Sequence, residues 1–393
     1  MIRLIYLLIS LFIFNAGEAQ LSKKKVYKVG ILTSLYLDSA FKADKFQFNN
    51  NIPKNFLKGL DFATGARLAI DSMQTPKDIE MIFSIYDIQS KTHSIQKLKD
   101  DHFFDSLNLI IGNVSGAEFR QIANICCPKN IPFISVTYPN DAGVTNCPST
   151  IILNPTIPVH CEAMYQYMLT NEPVSNKVYL TKSGQLETRI KSIYEKLNKG
   201  SGAATLLKWK DCLLTDTAEI LNINPVIKLL DSTKDNTIIC GSLDEKFSAK
   251  IIKAVASLTS YRITLIGMPS WETLPELNSK ESEGTTICYS TSFYASKKES
   301  DVNFEERFFK LTSGKPSELA YKAFETTIYF SDLLINYGNQ LPAYLTEPSK
   351  VIFTPFNIKP VYNQNTTEVN YLENKKVHLI KQEKGIKTEI LLK

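Results

Sequence analysis

Histidine, cysteine and serine are the residues best suited to chemistry in this chain, and their spacing assembles no reactive set. The four histidines, His93, His102, His160 and His378, are scattered and match no triad or metal spacing. His160, Cys161 and Glu162 are adjacent, but neighbours in sequence point apart on a helix, so they share no metal. Gly112-Asn113-Val114-Ser115-Gly116 comes close to a nucleophile elbow. That motif requires Gly-x-Ser-x-Gly, and the order here is Gly-x-x-Ser-Gly. Neither a Walker loop nor Gly-x-Gly-x-x-Gly occurs. Cys-x-x-Cys is also missing, which argues against a zinc knuckle or a thioredoxin-type site. The expectation is a protein that does no catalysis and carries no cofactor or metal.

Recognition is better served. Ser115 stands between an apolar segment, 107–111, and an amphipathic one, 116–125. There it either caps a helix or donates its hydroxyl to a bound carboxylate or other polar group. The loop Ser135-Val136-Thr137-Tyr138-Pro139-Asn140 follows the next apolar segment. Ser135, Thr137 and Tyr138 bring hydroxyls and a ring suited to a small polar ligand. Pro139, Asn140 and Asp141 also read as a plain turn. Gly267-Met268-Pro269-Ser270-Trp271 puts an indole in a loop, either as a packing anchor or as a stacking surface. Tyr289, Phe293 and Tyr294 line a cleft or close the edge of a core.

These loops need a scaffold, and the pattern of apolar runs supplies one. Strands are predicted over 26–35, 79–86, 107–111, 132–136 and 150–153, and helices over 55–73, 116–125 and 159–169. The second half repeats the scheme, with strands over 177–180, 205–209, 237–240, 263–266 and 285–289. Helical stretches at 185–198, 247–258, 304–311 and 318–337 lie between or after them. Such alternation requires crossover connections, and so α/β architecture with parallel sheets covered by helices on both faces. In open sheets of this kind ligands sit beyond the carboxyl ends of the strands, where the loops above lie. The tail offers strands at 351–358 and 377–382, then a turn at Gly385, which reads as a terminal hairpin added to one lobe.

The chain has 393 residues, 44% hydrophobic and 22% charged, enough for two cores rather than one. Arg3 precedes an apolar run, 4–14, that is shorter than the roughly 20 residues needed to span a bilayer. Gly17 and Ala19 then mark a leader over residues 1–19, cut after Ala19. The protein is expected to be periplasmic or secreted, where disulfides form. Cys126 or Cys127 with Cys147 is the expected bridge, and Cys240 and Cys288 read as buried small hydrophobes. The net charge of +5 is dispersed among acids, so no nucleic-acid partner is inferred.

Several stretches carry a resemblance. Val29-Gly30-Ile31-Leu32, with Gly65-Ala66-Arg67-Leu68-Ala69-Ile70, looks like the start of type I periplasmic binding proteins. Ile110-Ile111-Gly112-x-x-Ser115 followed by Ile131-Pro132-Phe133-Ile134-Ser135 is similar to that family's best-marked stretch. Lys177-Val178-Tyr179-Leu180, Ile263-Thr264-Leu265-Ile266-Gly267 and the helix from Tyr321 continue the match over about residues 26 to 340. The branches most alike are the branched-chain amino-acid binders and the binding-protein module of Bacteroidetes envelope proteins that contain LysM domains, although this chain has no LysM-like repeat. The resemblance implies two doubly wound lobes joined by a hinge crossed three times. Lobe 1 would hold 26–156 and 289–340, and lobe 2 would hold 157–288 and 341–393. It also implies a small-molecule ligand held between the lobes by Ser115, Ser135, Thr137 and Tyr138 on one side and by Trp271 and Tyr289 on the other. A membrane transporter or sensor would be the partner. The family's lobe 2 acid has no counterpart at Met268, Pro269 or Ser270, with Glu272 just beyond. That absence leaves a second function in view: an envelope scaffold that keeps the fold and has lost its ligand.

Overall fold

The apolar, β-branched runs form buried strands in a computed structural model that describes residues 24–48, 52–200, 206–217, 219–294, 299–348, 352–363 and 365–391. The leader expected over 1–19 lies outside those residues. In the first half, β1 (Lys25–Thr33), β2 (Ile79–Asp87), β3 (Leu109–Gly112), β4 (Phe133–Ser135) and β5 (Thr150–Ile152) pair in parallel, in the order β2-β1-β3-β4-β5. In the second half, β6 (Asn176–Lys182), β7 (Trp209–Leu214), β8 (Asn236–Cys240), β9 (Ile263–Ile266) and β10 (Thr286–Thr291) repeat that order as β7-β6-β8-β9-β10. Each is a doubly wound sheet whose direction of winding reverses beside its first strand.

Helices cover these sheets. Lobe 1 carries α1 (Lys54–Ser72), α2 (Ile95–Asp100) and α3 (Gly116–Cys126). Lobe 2 carries α4 (Ile157–Asn171), α5 (Gln185–Gly200) and α6 (Glu245–Ala256). The chain then returns to lobe 1 through α7 (Glu299–Thr312) and α8 (Glu318–Tyr337). α8 lies so close to α1 that a Cβ at Gly65 would stand 2.1 Å from the Ala320 carbonyl oxygen, and glycine is the residue that permits this approach. One large core fills lobe 2, and lobe 1 has a core on each face of its sheet. Phe304, Phe308, Tyr321, Phe324 and Phe353 form a further aromatic cluster beneath α7 and α8. Among the described residues no helix is long and apolar enough to cross a membrane.

The tail departs from the expectation. It was placed in lobe 2 as a single hairpin, but it divides between the two sheets. β11 (Ile358–Tyr362) and β12 (Val369–Asn374) form a hairpin whose second strand pairs in parallel with β5 of lobe 1. β13 (His378–Glu383) and β14 (Ile386–Ile390) form another, joined antiparallel to β10 of lobe 2. The physical reason is that each parallel sheet ends on a strand, β5 or β10, whose open edge needs a partner. β11 at the edge and β12 beside it are half-polar strands with little apolar signal, so composition did not announce them. β7 was likewise misplaced at 205–209, because its alternation of exposed and buried residues lies further on, at Lys210, Asp211, Cys212, Leu213 and Leu214. The chain passes between the sheets three times, after β5, after β10 and after β12.

Candidate functional site at the strand ends

In lobe 1 the switch point falls between β1 and β3, and a cavity of about 400 Å³ opens there. Ser34, Tyr36, Lys58, Gln89, Ser115 and Glu118 are among its lining residues. Asp87, buried at the end of β2, holds the segments that carry Tyr36 and Gln89. Its carboxylate accepts the N–H groups of Leu35 at 2.9 Å, Leu37 at 2.7 Å and Gln89 at 3.0 Å, which fixes how the chain leaves β1. Ser115 caps α3 in a capping box. Its hydroxyl receives the Glu118 N–H, and Glu118 Oε2 accepts the Ser115 N–H at 2.6 Å. The other Glu118 oxygen accepts from Gln89 Nε2, which also donates to Ser34 Oγ at 3.2 Å.

A second set of bonds leads from this cavity towards the crossings. Asn113 Nδ2 donates to Thr33 Oγ1 at 2.9 Å, and Thr137 Oγ1 donates to Asn113 Oδ1 at 3.0 Å. Asn154 Nδ2 donates to the Thr137 carbonyl at 2.8 Å, and Lys322 Nζ reaches Asn154 at 3.3 Å and Ser292 at 2.9 Å. At the crossings, Thr156 N–H donates to Glu373 at 3.2 Å and Asn374 Nδ2 to the Leu153 carbonyl at 3.1 Å. His160 Nδ1 lies 2.9 Å from Ser290 Oγ. Burial, helped by the charge of Lys322, holds His160 down at about 3 and so in the neutral form.

The corresponding place in lobe 2 lies between β6 and β8, and ion pairs occupy it. Lys182 Nζ is 2.5 Å from Asp244 and 3.4 Å from Asp216, and Lys250 is 2.8 Å from Asp216. The Lys182 bond holds the Asp244 carboxyl below its usual range, and Lys250 does the same for Asp216. Asp244 also caps α6 by accepting the Phe247 N–H at 2.9 Å. Buried Glu187 receives the Ser242 hydroxyl at 2.7 Å, behind the Lys182-Ser183-Gly184 loop.

The sequence-predicted site residues therefore do not meet as one set. Ser115 is exposed at the cavity. Thr137 is half-buried and held by Asn113. Tyr138 is half-buried, with its ring 5.4 Å from Phe119, over the start of α3. Ser135, Trp271 and Tyr289 are a correction, because all three are 0% exposed. Ser135 lies in β4 paired between Gly112 and Ile152, so its hydroxyl points into the core. Trp271 packs onto Gly267, where a Cβ would stand 2.1 Å from the indole, and this resolves its alternative in favour of packing. Tyr289 belongs to the same core, with the Lys387 ammonium 5.9 Å from its ring centre. Glu272 stands beside the Tyr289 hydroxyl, and burial pushes its carboxyl above the usual range. The expected bridge forms between Cys127 and Cys147, which leaves Cys126 free and buried.

Sequence reasoning missed Gln89, Asp87 and Glu118. Glu118 had a signal, since Ser-x-x-Glu before an apolar face is a capping box. Asp87 and Gln89 had none, because nothing local shows that the end of β2 folds back on β1.

With this arrangement in hand, the chain has the fold of type I periplasmic binding proteins. It is similar in structure to a branched-chain amino acid ABC transporter periplasmic ligand-binding protein of Burkholderia xenovorans. The TM-score is 0.60 at 12% identity, over 93% of this chain and 94% of that one. An ABC transporter substrate-binding protein of Desulfitobacterium hafniense in complex with Leu gives a TM-score of 0.56 at 13% identity, over 93% and 100%. A leucine-binding protein of Thermotoga maritima gives 0.54 at 12%, over 93% and 98%. No family model matches the sequence, and no curated protein matches it.

Proposed function

We propose that this chain is an exported solute-binding protein that closes two lobes over a small polar ligand and presents it to a membrane transporter or sensor. One observation carries the reading: the switch point of lobe 1 opens into a polar cavity of about 400 Å³ on a fold otherwise matched along almost its whole length. Ser115, Thr137 and Tyr138 are the contacts proposed on lobe 1. The three crossings would act as the hinge. The leader would be cut after Ala19 to release the protein outside the cytoplasm. The ligand would leave unchanged, so the role is capture rather than catalysis.

A thermal-shift screen of the mature chain with amino acids, peptides, amines and wall fragments tests this. A compound at 100 times its Kd should stabilise the native state by about 2.7 kcal/mol and raise the melting midpoint. A flat response across the panel, with a partner recovered from envelope extract, would replace the reading with the ligand-free scaffold.

A further inference from the structure

The N-terminus of α3 at the lobe 1 switch point is where unpaired N–H groups would ordinarily hold a ligand anion. The chain's own capping box already satisfies two of them, the Ser115 N–H through the Glu118 carboxylate and the Glu118 N–H through the Ser115 hydroxyl. Glu118 Oε2 takes the Ser115 N–H at 2.6 Å, and its second oxygen is held by Gln89 Nε2. The nearby side-chain donors are engaged too, Asn113 on Thr33 at 2.9 Å and Thr137 on Asn113 at 3.0 Å. Lobe 2 also has a carboxylate at the start of a helix, Asp244 as the cap of α6, but there Lys182 pairs with the charge. Glu118 has no such cation: among the described residues its partners are a backbone N–H, a neutral amide and no ion pair. Lys58 lines the same cavity from α1 and is exposed.

We propose that Glu118 sets the ligand class of lobe 1, excluding a carboxylate and admitting a group that donates hydrogen bonds, an ammonium above all. A carboxylate arriving at Ser115 meets the like charge of Glu118, which already holds the Ser115 N–H. An ammonium completes a charge-assisted pair with Glu118. This rests on the solute-binding reading and narrows it, and it departs from the carboxylate-bearing leucine named for two of the structural neighbours.

Two measurements on the mature chain test it. In the first, acetate is added in large excess and the amide resonances of Ser115 and Glu118 are followed by NMR. They should stay fixed in the wild type and move in Glu118→Ala, where the helix N-terminus is opened. Movement in the wild type overturns the proposal, whatever the ligand is. In the second, calorimetry compares amines with the amino acids of the same skeleton, isoamylamine with leucine and cadaverine with lysine. Both members of a pair carry the ammonium and only the amino acid carries the carboxylate, whose repulsion by Glu118 should make the amine bind the wild type tighter by about tenfold or more. Glu118→Gln, which keeps the capping bond and removes the charge, should erase that preference. Tighter binding of leucine than isoamylamine to the wild type would sink the proposal and leave the solute-binding role standing. If no compound binds either protein, the solute-binding role falls, and the acetate measurement still decides whether Glu118 closes the helix terminus.

Discussion

The two switch points have the same strand order and opposite contents. In lobe 1 hydrogen bonds border an open cavity, and Glu118 on its lining makes no ion pair among the described residues. In lobe 2 Lys182, Asp216, Asp244 and Lys250 pair with one another, and the aromatic residues expected to face a ligand are core. Topology decides where a site can be, whereas the few side chains at the strand ends decide whether it is available. On the proposed function, lobe 2 with its paired loop charges would add shape and closure, and lobe 1 with Glu118 would add selectivity.

The largest expected effect would break this contrast most directly. Trp271→Ala should cost about 3–5 kcal/mol in urea unfolding, the range for truncating a large aromatic residue in a core. Affinity in the folded fraction should be unchanged. Lost binding with intact stability would show Trp271 to be a ligand surface after all. Next, reducing Cys127–Cys147, which are 20 residues apart, should cost about 3 kcal/mol. Hydrogen exchange should quicken around α3 and leave lobe 2 as it was. The lobe 2 thiols Cys161, Cys240 and Cys288 are buried and pushed up to about 12, so iodoacetamide should not label them in the native protein.

His160 sharpens the comparison at the seam, between Ser290 of lobe 2 and Lys322 of lobe 1. Its folded pKa lies below its unfolded one, so its contribution is complete above about 6.5 and declines as the pH falls towards 3. Stability should drop by about 2 kcal/mol between pH 7 and pH 5 from this residue alone. The melting midpoint of His160→Gln should be flatter over that range. An identical slope in the variant would assign the loss to other groups.

Much of this was legible in the sequence. The strand and helix alternation survived into the structure because apolar runs such as Ile110, Ile111 and Phe133, Ile134 have nowhere to go but a buried parallel sheet. Ser115 was legible as a residue before an amphipathic helix, and so was its capping role. Ser135, Trp271 and Tyr289 were misjudged because sequence places a residue near the end of a strand without saying whether it lies inside the covered sheet or beyond its tip. One residue further along, Val136 is core while Thr137 reaches Asn113. The tail was misjudged because the edge β11 and β12 cover belongs to β5, far away in sequence. Asp87 and Lys182 were illegible for the same reason, since Leu35 and Leu37 for the one and Asp216 and Asp244 for the other lie far away in sequence.

The smallest effect concerns the pair that makes lobe 2 differ from lobe 1. Asp244→Asn keeps an oxygen to cap α6 and removes the charge facing Lys182. The Asp244 side chain is 40% exposed, so solvent screens the pair and the loss should be at most about 1 kcal/mol at neutral pH. Because Lys182 holds Asp244 below the ordinary aspartate value, that contribution is complete above about pH 4 and is lost as the pH falls further. The wild type and Asp244→Asn should therefore converge in acid, and also at high salt, where exposed charges are screened. Urea unfolding of both proteins at two pH values and two salt concentrations measures this. Equal stability of the two proteins at neutral pH and low salt would mean that Asp244 acts through its cap alone. Lys182 would then have Asp216 as its remaining carboxylate, itself shared with Lys250, and the excess charge at the lobe 2 strand ends would be cationic, opposite in sign to Glu118 in lobe 1.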